Sequence, residues 1–118
     1  MPAAQGSTAG LVVYRQNPEG WDGVWSHLDV GGSLARENVC GANLDALPGN
    51  WAVEIRAPND TVLFTGSLSV SPLGKCVKLA WAGHMANGDV ASFEGLGYRV
   101  DATTLAATFQ KVEAQQAR

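Results

Sequence analysis

The sequence predicts an all-β chain folded as an eight-stranded antiparallel up-and-down barrel, on three observations. Residues 61–110 run as segment, turn, segment, turn: 61–70, then Ser71-Pro72-Leu73-Gly74, 75–82, a loop over 83–89, 90–100, Asp101-Ala102-Thr103, and 104–110. Short segments rich in apolar and β-branched residues, joined by tight connections, form a meander. No segment carries a sustained 3.6-residue apolar period, so helices are not expected. Every connection except 41–50 is short, as sequential hairpins require, whereas a two-sheet sandwich needs longer crossovers. Eight strands in 118 residues suit a small closed barrel, whose interior holds side chains or one small ligand.

The strands before the meander follow in order. Residues 11–16 form the first, from the apolar run Leu11-Val12-Val13 and Tyr14. Asn17-Pro18-Glu19-Gly20 is a turn by composition. Residues 21–29 form the second strand, with Gly23, Trp25 and His27 on one face, and Gly31-Gly32 break it. Residues 33–40 form the third, in which Ala35, Glu37 and Val39 alternate with Leu34, Arg36, Asn38 and Cys40. The irregular stretch 41–50 follows, with at most one helical turn over 43–47. Trp51, Val53 and Ile55 then alternate with Ala52, Glu54 and Arg56 in the fourth strand, 51–57. Residues 1–10 are expected to be flexible, 11–110 to be one domain, and 111–118 to be a polar tail.

Composition narrows the function. The net charge is −3 and the eight Lys and Arg fall singly, so the basic patch that nucleic acid requires is missing and no nucleic-acid partner is expected. No apolar run reaches the roughly 20 residues of a membrane helix, and no membrane partner is expected. The first ten residues lack the basic and apolar regions of a signal peptide, which favours a cytoplasmic location. Two cysteines, Cys40 and Cys76, are too few for a disulfide scaffold or a four-ligand zinc site, though one bridge is conceivable if their strands adjoin. His27 and His84, the latter in the 83–89 loop, do not make a metal motif. Neither metal nor cofactor is expected.

Glycines inside strands (Gly23, Gly66, Gly95 and Gly97) fit sharply coiled barrel strands or a close approach of another group. Gly95 and Gly97 share a face and leave a smooth patch for a bulky residue or a ligand. Four pieces then follow in strand order: Phe64-Thr65-Gly66, Leu79-Ala80-Trp81, Phe93-Glu94-Gly95-Leu96-Gly97 and Thr104-Leu105-Ala106-Ala107-Thr108-Phe109. This order resembles small bacterial lipocalin-like barrel proteins. Gly23-Val24-Trp25 is similar to the Gly-x-Trp signature of the wider calycin group, which includes lipocalins and avidins. The resemblance covers roughly residues 11–110 and implies the barrel and a habit of binding apolar ligands, not a reaction. The chain departs from the lipocalin pattern in having a whole strand before Gly-x-Trp and no evident C-terminal helix. The polar set of avidin's biotin site does not map onto it.

The residues themselves allow three functions. In the first, the barrel binds one apolar or aromatic small molecule without covalent chemistry. Trp25 and Trp81 then form a stacking wall, with Tyr14, Phe93 and Tyr98 adding aromatic surface and Arg36 and Arg56 available to grip a carboxylate. If the barrel is filled instead, the same tryptophans are core. Trp21 and Trp51, at strand starts, are expected half exposed at a rim or a subunit contact. In the second, the barrel is an isomerase, cyclase or hydratase in which His27 pairs with an inward Glu37 or Glu94 as acid and base. In the third, apolar residues on both strand faces, such as Leu11, Val12 and Val13, hide an outer strip in a homodimer. Charged strand residues such as Glu54, Arg56, Lys75, Lys78 and Arg99 are expected on the solvated face, and outside the enzyme reading so are Glu37 and Glu94.

Overall fold

In a computed structural model, which describes residues 9–112, eight strands follow one another. They are β1 (Gly10–Asn17), β2 (Gly20–Ser26), β3 (Ala35–Cys40), β4 (Gly49–Arg56), β5 (Val62–Leu73), β6 (Cys76–Met85), β7 (Val90–Asp101) and β8 (Thr104–Lys111). Each pairs antiparallel with the next, and β8 returns to β1, which closes the barrel. The fold is therefore the all-β up-and-down barrel that the alternating pattern predicts. Closure removes the sheet edges that would otherwise offer unpaired backbone groups. No helix among the described residues is long and apolar enough to cross a membrane.

Period-two alternation decides what lies inside. β1 buries Val12 and Tyr14 and exposes Leu11, Val13 and Arg15. β3 buries Ala35, Glu37 and Val39. β8 buries Leu105 and Ala107. The smooth patch expected at Gly95 and Gly97 exists, and it is covered from inside: a Cβ at Gly95 would stand 3.3 Å from the Trp81 ring, and one at Gly97 would stand 2.9 Å from Leu79. On the outside, register places Val24, Val13, Ala106 and Tyr98 in one row, and in the next Leu11 pairs with Thr108, whose hydroxyl accepts the Leu96 N–H at 3.2 Å. These rows are the outer apolar strip anticipated from the paired apolar residues of β1.

The two ends of the barrel differ. At the end carrying the connections 18–19, 41–48, 74–75 and 102–103, the 41–48 segment folds inward and buries Ala42 and Leu44. Gln16 holds it there. Its Oε1 accepts from Trp21 Nε1 at 3.0 Å and from the Leu44 backbone N–H at 2.8 Å, while its Nε2 donates to the Ala42 carbonyl at 2.8 Å. Arg99 donates to the Leu44 carbonyl at 3.3 Å and to Asp45 at 3.0 Å. Trp21, Val39, Val53, Leu68, Val70, Leu79 and Leu105 pack above this plug.

At the other end β2 stops at Ser26 rather than continuing to Asp29. His27 caps a 3₁₀ turn over Leu28–Val30 by accepting the Asp29 N–H, and Gly31 and Gly32 complete the reversal at φ of 65° and 79°. That left-handed pair suits glycine and bends the chain over the mouth. Between β3 and β4 only Glu37, Asn38 and Val39 find ladder partners. Where the ladder stops, the Trp25 indole N–H takes over, donating to the carbonyls of Arg36 at 3.2 Å and Arg56 at 3.1 Å.

Several local expectations are corrected. Trp21 is only 2% exposed, because its indole covers the plug, whereas Trp51, 5.3 Å away between ring centroids, is half-buried as expected. The 71–74 turn shrinks to Gly74-Lys75, as β5 runs to Leu73 and β6 starts at Cys76. His84 belongs to the outer face of β6, not to a loop. The 43–47 stretch forms a hydrogen-bonded turn, Ala46 N–H to the Asn43 carbonyl at 3.0 Å, and no helix. Cys40 and Cys76 are free thiols, on strands that are not neighbours. Gly10 and Lys111 are strand residues, and what was expected of residues 1–8 and 113–118 lies outside the described residues.

If Gln16 holds the plug, Gln16→Ala leaves the Trp21 and Leu44 N–H groups without an acceptor. It should cost about 1–3 kcal/mol in urea unfolding, the usual range for an orphaned buried donor. Asn50→Ala, which removes an exposed side-chain bond to Ser69, should change stability by less than about 0.5 kcal/mol.

Candidate functional site

Tyr14, Gly23, Glu37 and Ile55 sit side by side on β1, β2, β3 and β4. Gly23 leaves a gap that the Tyr14 ring crosses: a Cβ there would stand 2.9 Å from two ring carbons. The phenol thereby reaches over β2 and donates to Glu37 Oε2 at 2.5 Å. From the opposite wall, Trp81 Nε1 donates to the same oxygen at 2.9 Å. Glu37 is 3% exposed, and among the described residues no side chain bonds its Oε1 and no ion pair includes it.

Burial dominates the electrostatics here. It pushes the Glu37 carboxyl up from an ordinary value of 4.5 to about 7, against the smaller lowering effect of the hydrogen bonds from Tyr14 and Trp81. Burial, followed by the neighbouring Glu37 charge, holds the Tyr14 hydroxyl well above its usual range, so Tyr14 is a donor throughout the neutral range.

Above Glu37 the barrel is hollow. A cavity of about 520 Å³ reaches from the carboxyl to the mouth, within the span of ordinary small-molecule sites. Its walls are mainly rings. Phe109 is the hub, with centroids 5.8 Å from Trp25, 6.3 Å from Trp81 and 6.4 Å from Phe93, all edge to face. Phe64 meets Phe93 edge-on at 5.6 Å. Ile55, Leu63 and Met85 complete the apolar surface, and His27, Asp29 and Lys111 stand nearer the opening. His27 lies 5.9 Å from Phe109. Its Nδ1 accepts the Asp29 N–H at 2.9 Å, which puts the ring proton on Nε2. The Asp29 carboxylate lies 3.5 Å from the same Nδ1.

The residues singled out from sequence separate into two groups. Trp25, Trp81, Phe93, His27 and Glu37 line the cavity together, and Tyr14 braces the floor through Glu37. Arg36, Glu94 and Tyr98 are exposed on the outer face. Glu94 points out because its strand neighbours Phe93 and Gly95 point in, so it cannot join His27. Arg56 also faces outward, 3.2 Å from Glu54, so neither arginine grips anything in the cavity. Phe109 and Phe64 were missed as wall residues. The signal was present, since Phe109 is in phase with Leu105 and Ala107, and Phe64 with Leu68 and Val70. No cluster of three or more His, Cys, Asp or Glu that could hold a metal ion occurs among the described residues. Compared with protein-family models, curated proteins and solved structures, the chain matches none of them.

Two tests follow from Glu37. Its folded-state pKa is raised, so the folded protein binds a proton that the unfolded chain has released between about pH 4.5 and 7. Stability tied to this group is therefore present below pH 4.5 and lost as pH rises through 7, by about 3 kcal/mol in all. Urea unfolding from pH 5 to 7 should show that decline in the wild type, and Glu37→Gln should remove it. Separately, Tyr14→Phe deletes a hydrogen bond that favours the carboxylate. Carbon NMR of the Glu37 carboxyl should show it titrating above the wild-type value; a downward move would contradict the assigned role.

Proposed function

We propose that the chain is a small-molecule-binding protein of the lipocalin-like, calycin-type barrel kind, which takes one apolar or aromatic molecule into its open end without covalent chemistry. The observation that carries this reading is the cavity of about 520 Å³ walled by Trp25, Trp81, Phe64, Phe93 and Phe109. Rings meeting edge to face leave slots that suit flat or branched apolar groups. The plugged far end makes the cavity a blind pocket, which favours retention over passage. The order of Phe64-Thr65-Gly66, Leu79-Ala80-Trp81 and Gly95-Leu96-Gly97 along β5, β6 and β7 supports the lipocalin-like assignment.

A second reading is supported by one observation, the placement of Glu37 and His27 in the same cavity with the Glu37 pKa near 7. A carboxyl poised there could move a proton on a bound molecule, as an isomerase or hydratase requires. Under this reading Glu37→Gln leaves binding intact and abolishes turnover. Under the first there is no turnover to lose.

The neutral dye N-phenyl-1-naphthylamine tests the pocket directly. Its fluorescence should rise on binding one equivalent of protein. Met85→Trp, which narrows the mouth, should weaken binding by about tenfold or more, the scale of blocking a buried apolar contact. Tyr98→Ser, on the outer face, should leave it unchanged. Native mass spectrometry of the purified protein should in parallel show any retained molecule. A dye that does not bind, or that binds both variants alike, would remove the cavity from consideration as the binding site.

A further inference from the structure

The floor of the cavity carries an unmatched acceptor. Glu37 Oε2 already holds two donors, Tyr14 and Trp81, and both are neutral. Oε1 takes no bond from a described residue, on a side chain only 3% exposed that lines the cavity. Its strand neighbours bring no compensating charge. Arg36 is exposed on the outer face, and Arg56 of β4 is turned outward to Glu54 and Asp60. The other charged or titratable groups facing the cavity are His27, Asp29 and Lys111, all nearer its opening. Above the carboxyl stand five rings, whose negative π faces attract cations and repel anions. A carboxylate beneath aromatic walls is the arrangement that recognises a protonated nitrogen.

We propose that the molecule this barrel binds is an organic amine, whose ammonium donates to Glu37 Oε1 while its apolar body lies among Trp25, Trp81, Phe64, Phe93 and Phe109. The proposal deepens the binding reading above and rests on it. An ammonium supplies both the missing donor and the missing positive charge, which a neutral alcohol or carbonyl cannot. The raised Glu37 pKa accords with the same geometry, because with no cation beside it the carboxyl is about half protonated at pH 7 and largely protonated at pH 5. A cation entering the site displaces the proton to solvent, so charge on the floor is conserved. Binding should then strengthen as pH rises toward 7 and level off above it. An alkylammonium keeps its own proton throughout, as lysine's does.

Three probes with one apolar body separate the possibilities: 4-phenylbutylamine, 4-phenylbutan-1-ol and 4-phenylbutyrate, titrated calorimetrically at pH 5 and pH 8. The amine should bind wild-type protein on the order of 100-fold more tightly at pH 8 than at pH 5, following the ionised fraction of Glu37. The alcohol should change little, and the carboxylate should bind weakest. Glu37→Gln, checked for its fold by circular dichroism, should keep the alcohol's affinity and lose both the amine preference and its pH dependence. A preference for the alcohol or the carboxylate, tighter amine binding at pH 5, or a pH dependence that survives in Glu37→Gln would each overturn the amine assignment. If N-phenyl-1-naphthylamine still binds in any of those cases, the pocket stands and only the ligand class falls. If neither the dye nor any of the three probes binds, the binding reading falls and takes this inference with it.

Discussion

The open half of the barrel is organised by a carboxylate that water barely reaches, held by donors from opposite walls. Glu37 on β3 draws in Tyr14 from β1 and Trp81 from β6, strands that do not touch one another in the sheet. The two bonds offset part of the cost of burying an ionisable group, though not all of it, which is why burial still dominates its proton affinity. They also position two large rings. Tyr14 crosses Gly23, and Trp81 packs across Gly95, so two glycines and one glutamate together set the floor of the cavity.

Above and below that floor the same alternating pattern produces opposite outcomes. Below it, aliphatic side chains and Trp21 fill the barrel, and the inward-folded 41–48 segment seals it. Above it, the inward positions belong to aromatic rings too large and too rigid to interdigitate fully, and a hollow remains. Side-chain shape contributes to the difference, and so does the β3–β4 ladder, which stops at Glu37 on the open side. Eight strands fix a width that aliphatic residues can fill but that rings meeting at right angles cannot.

The strand count, order and closure were legible because each segment alternates and each connection is short. The inward facing of Glu37 was not: its phase with Ala35 and Val39 was visible, but a charged strand residue is expected to meet water, and only the closed barrel turns it inward. The facing of Glu94 was not, since Leu96 and Tyr98 share its phase and alternation alone does not say which set turns inward. The plug was hidden for a different reason. Residues 41–48 have no period, and the residue that fixes them, Gln16, is a polar side chain 28 positions from Leu44 in the chain. The end of β2 was misjudged because the break begins at His27, whose ring caps the 3₁₀ turn, and not at the glycines that complete it. Tyr14 and Glu37, 23 residues apart, were each visible, but their bond depends on a register that becomes definite only when the barrel closes.

Trp25 serves two structures at once. Its ring is part of the cavity wall, and its N–H joins the ends of β3 and β4 where their own ladder stops. Nothing else in that stretch links the two carbonyls, so the seam's last rung is a side chain. A substitution at this position is therefore ambiguous by construction. Loss of ligand affinity in a Trp25 variant would reflect a missing wall, a parted seam, or both, and structural integrity would have to be measured before such a variant was counted as evidence about recognition. Phe93 and Phe109, which carry no hydrogen-bonding group, test the wall without breaking the seam's hydrogen bonds.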